Sequence, residues 1–363
     1  MHATETLAEA DRLMTVCNSC RYCEGLCAVF PAMELRRAFA DGDLNYLANL
    51  CHGCGACYYD CQFAPPHAFD VNVPRVLAAA RRQSYAQYAW PSAARALFAR
   101  NGLAVTLICA LCVAAFILGF TWAASPGGLF RLQTGPGAFY RVMPHDAMAL
   151  VFGAAFLYAL LALWMGLRAF WRDIGEPIFS LGERNSLWQA IKDAARLRYL
   201  EGGKIGCYNE DERPTDRRPV YHHLVFYGFL LCFAATATAT FYDYVAGRPA
   251  PYAWWDLPVV LGTLGGIGLV VGSAGLLSAK LRRDKALIEE ARLGMDAAFI
   301  VALGLTGLTG LLLLVLRATT AMNLLLALHL GFVAAFFLSM PYSKFVHGVY
   351  RFAALVRYAK ERP

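Results

Sequence analysis

Charged residues are scarce in this 363-residue chain. Asp, Glu, Lys and Arg make up 16% of it, whereas ordinary soluble domains contain about 25%. Hydrophobic residues make up 58%, and the mean hydropathy is +0.43. This composition excludes an ordinary soluble protein. The apolar residues are also unevenly placed, because residues 1–100 are mixed and polar whereas long apolar stretches follow.

Two further absences narrow the class of protein. Residues 1–100 contain no G-x-G-x-x-G stretch, the fingerprint of a flavin- or nicotinamide-binding fold. The glycine-rich run at 262–268 lies inside an apolar stretch, where glycines permit close helix packing rather than phosphate binding. Transporters place charged residues in the middle of their spans, but Asp243, Asp256 and Asp296 all lie near span ends. The chain therefore lacks the signatures of a dinucleotide enzyme and of a transporter.

Six apolar stretches follow residue 100, each near the ~20 residues that a helix needs to cross a hydrocarbon core of ~30 Å. They predict six transmembrane helices, at about 102–124, 146–170, 222–242, 257–279, 295–316 and 322–341. The predicted fold is mainly α, with an N-terminal ferredoxin-like module at 1–100 followed by a six-helix transmembrane bundle of cytochrome b type at 101–363. The polar segment 171–220 is too long for a turn, and we expect it to form a cytoplasmic loop.

The positions of Lys and Arg predict the orientation in the membrane. Basic residues concentrate after the N-terminal module, in the connection after the fourth span, and in the tail. They are Arg75, Arg81, Arg82, Arg95, Arg100, Lys280, Arg282, Arg283, Lys285, Arg292, Lys344, Arg351, Arg357, Lys360 and Arg362. Both termini are therefore expected on the cytoplasmic side of a bacterial-type inner membrane. This orientation accounts for the net charge of +7 in a lipid bilayer, so no nucleic-acid partner is expected.

The loop 171–220 contains one predicted helix and one isolated cysteine. The stretch that begins at Ser186 reads as a short amphipathic helix, followed by a glycine-rich segment with Gly202 and Gly203. We expect this loop to face the N-terminal module or a partner. Cys207 is interpreted as a structural thiol rather than a ligand. Three further cysteines in apolar spans are interpreted as small core residues: Cys109, Cys112 and Cys232.

Eight of the twelve cysteines form two runs with one spacing, C-x2-C-x2-C-x3-C. Three thiolates two residues apart in a tight loop can reach three iron corners of a [4Fe–4S] cubane, and a fourth ligand must come from elsewhere. In the bacterial two-cluster pattern, the fourth cysteine of each run ligates the cluster of the other run. The predicted first site is Cys17, Cys20, Cys23 and Cys61, and the predicted second site is Cys51, Cys54, Cys57 and Cys27.

Zinc and disulfides are the alternatives for these cysteines. Zinc binds pairs of C-x2-C elements, but its sites do not usually need a third cysteine followed by a fourth. Adjacent C-x2-C elements suit a metal better than a secreted disulfide scaffold, and no cleavable signal precedes them. One departure from the ferredoxin pattern is that Ala28 and Gln62, rather than proline, follow the fourth cysteines.

Four histidines stand out by their position near or within apolar spans. His222 and His223 open the third span, His329 lies inside the sixth, and His347 lies just past its cytoplasmic end. The 18 residues from His329 to His347 are five turns, so both would face one side if the helix continues through Pro341. His347 and the His222/His223 pair are expected at the same membrane depth.

Two imidazoles at one depth on different helices can hold a haem b from both sides. The alternative for each histidine alone is an interfacial residue that hydrogen-bonds headgroups or backbone. The sequence does not distinguish His222 from His223. His329 sits deeper, and it would bind a second haem with His145, line a quinone site, or be buried. His52 and His67 flank the second cysteine run and are expected to cover or tune its cluster.

A family resemblance rests on the two cysteine runs and on three further stretches. These are Tyr-His-His-Leu-Val-Phe-Tyr-Gly-Phe at 221–229, Gly-Thr-Leu-Gly-Gly-Ile-Gly at 262–268 and Pro-Tyr-Ser-Lys-Phe-Val-His-Gly at 341–348. Over essentially its whole length the chain resembles the tricarballylate utilization protein B family, also called CitB-type citrate utilization proteins. The resemblance implies a membrane-bound electron carrier with two [4Fe–4S] clusters and haem. Such a protein reoxidises the reduced FAD of tricarballylate dehydrogenase, which converts tricarballylate to cis-aconitate, and passes electrons to the quinone pool.

The helices resemble, more distantly, the gamma subunit of respiratory nitrate reductase. The last helix of that family bears two haem-ligating histidines spaced like His329 and His347, and its partner helix carries two histidines about three turns apart. Here Cys232 and Phe233 stand where the outer ligand would be expected. This departure from the pattern of that family argues against a second haem and supports one, near the cytoplasmic side.

The expected function is an electron relay from the flavin of a dehydrogenase, through two clusters and haem b, to a membrane quinone. No catalytic residue acting on the carboxylic acid is expected in this chain. One alternative is the same relay serving a different flavoprotein donor. The other is a membrane redox sensor, although no signalling domain accompanies the clusters.

Overall fold

The computed structural model describes residues 2–123, 128–178, 180, 183–200, 206–289 and 293–362. Gly202 and Gly203 of the predicted loop, Arg292 of the predicted basic connection, and residue 124 at the end of the first predicted span lie outside the described residues. Across the described residues the fold is mainly helical, as predicted, and it comprises an N-terminal helical module and a bundle of long apolar helices.

The N-terminal module is built from short helices that begin at recognisable caps. Thr4 accepts a hydrogen bond from the Leu7 N–H at 3.2 Å, and Asn72 accepts one from the Arg75 N–H at 3.2 Å. The helices are α1 (Glu5–Cys20), α2 (Val29–Glu34), α3 (Asp41–Leu50), α4 (Ala56–Tyr59) and α5 (Val73–Gln87), followed by a 3-10 helix at Ser92–Phe98. Among described residues 2–100 there is no strand, so this module is entirely helical.

The remaining helices are α6 (Asn101–Ala123), α7 (His145–Asp173), α8 (Arg184–Ala195), α9 (Arg217–Tyr244), α10 (Leu257–Leu281), α11 (Leu293–Leu316), α12 (Met322–Ser339) and α13 (Val346–Glu361). The strands β1 (Cys207–Tyr208) and β2 (Pro214–Thr215) pair antiparallel. Within the described residues, six segments are long and apolar enough to cross a membrane: Asn101–Trp122, His145–Asp173, Arg217–Tyr244, Leu257–Leu281, Gly294–Leu316 and Met322–Tyr342. Helix α8 covers the amphipathic stretch predicted near Ser186.

No single helix continues from His329 to His347, so the condition on which both histidines were expected to face one side is not met. Helix α12 ends at Ser339, a 3-10 turn occupies Met340–Tyr342, and Ser343 is extended with φ −129° and ψ −172°. Pro341 cannot continue the helical hydrogen-bond ladder, so the chain leaves the bundle at this point. The next helix, α13, is amphipathic and packs against the N-terminal module through buried residues such as Tyr350 and Val356.

Glycines bring α9 and α10 into close contact, which confirms the helix-packing interpretation of the run at 262–268. A Cβ added to Gly268 would lie 2.9 Å from the carbonyl oxygen of Leu224, and one added to Gly265 would lie 2.8 Å from that of Gly228. These separations are too short for any side chain larger than hydrogen. The seam fixes α9, and therefore His222 near its start, against the rest of the bundle.

The module and the bundle share one hydrophobic core. Buried Leu13, Tyr46 and Leu77 of the module belong to the same cluster as Phe170 and Trp171 at the end of α7. Polar contacts surround it: the Tyr88 hydroxyl donates to Asp173 at 2.5 Å, and the Asn45 amide donates to Asp173 at 3.1 Å. The module therefore lies against one end of the bundle. The start of α9 and the whole of α13 lie at that same end.

Candidate functional site

The first cysteine run lies at the end of α1 and in the loop that follows it. Cys17 and Cys20 occupy the last turn of the helix, which ends at Arg21 in the left-handed conformation with φ 55°. A pocket beside this turn gathers the predicted first site and one more cysteine. Its lining is Cys17, Cys20, Cys23, Cys57 and Cys61 with Val16, Tyr22, Phe30, Gln62, Phe63, Val71 and Val73. Thiols of both runs therefore meet in one pocket of mostly apolar walls.

Burial in this pocket strongly raises the pKa values of two thiols. Burial, followed by the charges of neighbouring cysteines, raises the pKa of Cys17 and of Cys23 to about 12. Thiolates are the forms that bind metals, and a coordinated metal centre supplies the positive charge that removes the thiol protons. Buried, mutually repelling thiols are thus suited to a metal centre and unsuited to free thiolates.

The second cysteine run follows α3, which Cys51 caps. Gly53 and Gly55 have φ of +61° and +91°, so the loop turns where a side chain would be strained. The Gly53 N–H donates to the Cys51 sulfur at 3.4 Å, the kind of hydrogen bond that stabilises a thiolate. These turns direct the loop at 51–57 inward, where Cys51 and Cys54 are 7% and 8% exposed.

Cys27 of the first run lies beside the second run. Burial raises the pKa of Cys27, and the charges of Cys54 and Cys51 raise it further. Its neighbours Val29 and Phe30 donate backbone hydrogen bonds to its sulfur at the start of α2. The structure therefore places Cys27 near the second run and Cys61 near the first, the crossed arrangement of the two predicted sites.

No group of three or more Cys, His, Asp or Glu side chains within the described ranges is arranged to hold a single metal ion. A single zinc ion with sulfur ligands at about 2.3 Å would hold those sulfurs within roughly 4 Å of one another. A four-iron cluster is larger than one ion, and its thiolates lie around it rather than against each other. The pocket beside α1, which thiols of both runs line together, is consistent with that larger group.

Four arginines from different elements converge on the loop that follows Cys51, and we call them the arginine cluster. Arg81 of α5 and Arg351 of α13 both donate to the Cys51 carbonyl, Arg351 at 2.9 Å. Arg218 of α9 and Arg283 after α10 both donate to the Gly53 carbonyl, at 2.7 and 2.8 Å. The second run is therefore contacted by arginines of the module, of the bundle and of α13.

Cys207 lies in the same region. It is fully buried on β1, its sulfur is 3.4 Å from the Cys54 carbonyl, and Arg218 donates to that sulfur at 3.5 Å. The Tyr208 N–H donates to the Cys54 carbonyl at 2.8 Å. The loop predicted to face the module or a partner thus contacts the module, and Cys207 packs against the second cysteine run.

His222 and His347 meet at the start of α9 and of α13. Their ring centroids are 6.1 Å apart. Two imidazoles on opposite sides of one iron, each bonded at about 2.0 Å, would have centroids about 6 Å apart. The pair therefore has the separation that a haem with two histidine ligands requires.

Hydrogen bonds and burial also suit this pair to a metal. The His347 Nδ1–H donates to the Lys344 carbonyl at 2.5 Å, which leaves Nε2 as the available nitrogen. Burial, then the positive charges of Arg351 and Lys344, lowers the pKa of His347 and keeps it neutral. The Nδ1 of His222 is buried and has no hydrogen-bond partner in the part of the chain described, a costly state for a polar atom.

The other predicted histidines have different surroundings. His223 turns away from His347: it contacts the Ala195 carbonyl at 3.3 Å and stacks on Tyr227. His329 faces α11, where its Nδ1 is 3.2 Å from the Thr309 hydroxyl. His145 lies 3.1 Å from Asp243, near the opposite end of the bundle from the module. The described residues therefore bring neither His223 nor His145 together with another histidine.

His52 and His67 flank the second run in different ways. His52 is buried beside Cys51 and donates to the Leu50 carbonyl at 2.9 Å. Burial, then the charge of Arg351, lowers its pKa. His67 is exposed and packs against Phe63 and Phe69. Of these two histidines, His52 is therefore the one that is buried beside the second cysteine run.

Sequence reasoning missed the arginine cluster, because it treated Arg81, Arg283 and Arg351 only as markers of topology. The spacing of arginine and histidine in the sequence could have indicated this cluster. Arg218 precedes His222 by four residues and Arg351 follows His347 by four, so each arginine lies one helical turn from a paired histidine.

The chain matches known proteins over nearly its whole length. The family model "Citrate utilization protein B" matches residues 96–363, and the model of its Fer4-like domain matches residues 10–87. "Citrate utilization protein B" of Escherichia coli is 48% identical over 361 residues, which cover 99% of this chain and 93% of the relative. A search of solved structures found no significant match. The Fer4-like match indicates iron–sulfur electron transfer, and the family resemblance is confirmed.

Proposed function

Because the chain belongs to the citrate utilization protein B family, we propose that it is a membrane electron-transfer protein of a tricarboxylate utilization pathway. It takes electrons from the reduced FAD of a partner dehydrogenase, tricarballylate dehydrogenase, and delivers them to membrane quinone. When bound, two [4Fe–4S] clusters and one haem b supply the one-electron chemistry. The module occupies the cytoplasmic face of the inner membrane, with both termini on that side.

The residues that hold these groups are the two cysteine quartets and one histidine pair. Cys17, Cys20, Cys23 and Cys61 would hold the first cluster, and Cys51, Cys54, Cys57 and Cys27 the second. His222 and His347 would hold the haem, with the His347 tautomer fixed by the Lys344 carbonyl. His329 and His223 have no ligand role in this proposal. Residues 1–100 and 101–363 act as the cluster domain and the membrane domain.

The observation that carries the proposal is the direct connection between the second cysteine run and the histidine pair. Arg351, one turn after His347, donates to the Cys51 carbonyl at 2.9 Å, and Arg218, one turn before His222, donates to the carbonyls of Gly53 and His52. Electron transfer needs redox groups at short separation in a rigid setting. The hydrogen bonds of Arg351 and Arg218 hold the cysteine loop close to the histidines and restrict its movement.

The first experiment is an optical spectrum of the detergent-purified protein before and after dithionite, with pyridine-haemochrome and iron analysis. We expect about one haem b and roughly eight further irons per chain, the content of two cubane clusters. Iron without haem would remove the haem from the proposal. The absence of both would refute it.

Variants of the histidines assign the haem. His222→Ala and His347→Ala should each lose the b-type spectrum, whereas His223→Ala and His329→Ala should keep it. Loss of haem in His223→Ala with retention in His222→Ala would contradict the assignment.

The donor is tested by mixing the protein in nanodiscs with a quinone analogue and the pre-reduced dehydrogenase. Rapid reoxidation of its FAD only when this protein is present supports the proposal. Reoxidation with an unrelated reduced flavoprotein, but not with tricarballylate dehydrogenase, would support the same relay with another donor.

A further inference from the structure

The two cysteine sites differ sharply in their surroundings. The twelve residues that line the pocket of the first site include no Lys or Arg, and the Tyr22 side chain on its wall is 72% exposed. The charge of Asp60 also acts on Cys23 there. By contrast, the arginine cluster surrounds the loop that carries Cys51 and Cys54 of the second site. The first site therefore has an exposed wall without Lys or Arg among its lining residues, whereas four arginines donate to the loop of the second site.

Two of these arginines have no acidic partner. Arg218 and Arg351 have no carboxylate within ion-pair distance among the residues that the structure describes. Their hydrogen bonds go to main-chain carbonyls and, for Arg218, to the Cys207 sulfur. A partly buried guanidinium without a counter-charge is costly, because its positive charge has lost water without gaining an anion. Asp296 and the Cys207 sulfur act on Arg218 from nearby, and a metal centre bound by four thiolates would supply further negative charge beside both arginines.

Guanidinium groups are strongly basic, and although burial, then the charge of Arg81, lowers the pKa of Arg351 to about 9, it remains charged at neutral pH. A cation close to a redox centre stabilises its reduced, more negative form and raises its reduction potential. In a partly buried setting this effect is less screened by salt than at the surface. Hydrogen bonds from Arg351 and Arg218 to Cys51 and Gly53 carbonyls hold the charges beside the second site.

We propose that the arginine cluster makes the second site the iron–sulfur centre of higher reduction potential, so that electrons entering at the exposed first site are drawn towards the His222–His347 pair. Arg351 and Arg218 are positioning residues, since they bind the loop that carries the cysteines and not the metal centre itself. The inference rests on the proposed function, because it requires both cysteine quartets to hold clusters.

The experiment is a redox titration of the full-length protein in nanodiscs, followed by electron paramagnetic resonance of the two reduced clusters. The variants are Arg351→Gln, Arg351→Lys and Arg218→Gln, with iron analysis of each. Arg12→Gln is the control, because Arg12 lies on α1 of the same module, is 43% exposed, and is paired with Glu9.

The wild type should show two distinct midpoints. Arg351→Gln and Arg218→Gln should each lower the higher midpoint by at least a tenfold change in the reduction equilibrium, about 59 mV for one electron, and leave the lower one in place. Arg351→Lys should keep most of the wild-type value, because it keeps the charge, and Arg12→Gln should change neither midpoint.

Several outcomes would overturn the inference. Two clusters with equal midpoints, a shift of both midpoints together, or an Arg351→Lys variant that shifts as far as Arg351→Gln would each show that charge at this loop does not order the centres. If Arg351→Gln loses iron through misfolding, Arg218→Gln decides. A wild-type protein without iron would instead overturn the proposed function, and this inference with it.

Discussion

Glu361, near the end of α13, joins the last helix to the N-terminal module, and its replacement provides a quantitative test of the docking. Its carboxylate accepts from Arg36 at 2.5 Å, from Arg357 at 2.9 Å and from the Tyr46 hydroxyl at 2.9 Å. Both guanidinium groups also lie over the Tyr46 ring, at 4.9 and 4.5 Å from its centroid. Glu361→Ala removes the anion on which all three side chains converge.

The magnitude follows from the burial of these groups. Hydrogen bonds to charged groups contribute roughly 1.5–3 kcal/mol each, and a broken buried ion pair costs about 3–5 kcal/mol. Here the Glu361 side chain is 18% exposed, and Arg36 keeps Asp43 at 2.7 Å, so part of the loss is compensated. We expect Glu361→Ala to destabilise the docked state by about 2–3 kcal/mol, which is roughly a 30- to 150-fold change in the opening equilibrium.

Hydrogen exchange measured by mass spectrometry is the assay. Peptides from α3 and α13 should lose protection by that factor in Glu361→Ala, and by less in Glu361→Gln, which keeps an acceptor oxygen. Glu9→Ala is the matched control, because its ion pair with Arg12 is 41–43% exposed and such pairs contribute about 0–1 kcal/mol. Unchanged protection of α13 in Glu361→Ala would refute the view that this network holds the helix on the module.

Three other predictions follow from the structure. Gly268→Leu should separate α9 from α10 and destabilise the protein by about 1–3 kcal/mol through overpacking. The measurement is the temperature at which detergent-purified protein leaves the monodisperse peak. Gly119→Leu, which has open space around its Cβ, should leave that temperature unchanged. Burial and then Glu361 raise the pKa of Tyr46, so its contribution to stability is present below about pH 10 and is lost as pH rises through the raised value. Tyr46→Phe should therefore flatten the alkaline decline of unfolding stability, and an unchanged slope would contradict this. Cys61→Ser should lower the iron content from about eight to about four per chain, whereas Cys109→Ser should leave it intact; equal iron content in both would contradict a ligand role for Cys61.

Much of the membrane part could be predicted from sequence, because apolar length alone determines where a chain can cross a bilayer. The six predicted spans lie close to the six segments that are long and apolar enough to cross a membrane, and helices extend beyond them mainly where polar residues continue the helix, as at Arg217–Tyr244. The sixth predicted span ends in the 3-10 turn that follows α12. The close α9–α10 seam was predictable as well, because glycines such as Gly265 and Gly268 have few other roles inside a span.

The break before α13 shows the limit of periodicity. Spacing placed His329 and His347 on one face of one helix, but Pro341 ends that helix. His347 still reaches His222, because α13 lies across the module and its first turn points at the start of α9. Which of His222 and His223 faces His347 depends on how α9 is rotated, and its close packing against α10 fixes that rotation. No local pattern carries this information.

The arginine cluster has a consequence for how the protein is made. The cysteine runs leave the ribosome first, but Arg218, Arg283 and Arg351, which enclose the loop after Cys51, are synthesised later, and α13 comes last. Once α13 has docked, Cys51 and Cys54 are nearly inaccessible. A cofactor destined for this loop would therefore enter before α13 docks or when it opens, so the docking of α13 would close the site during maturation.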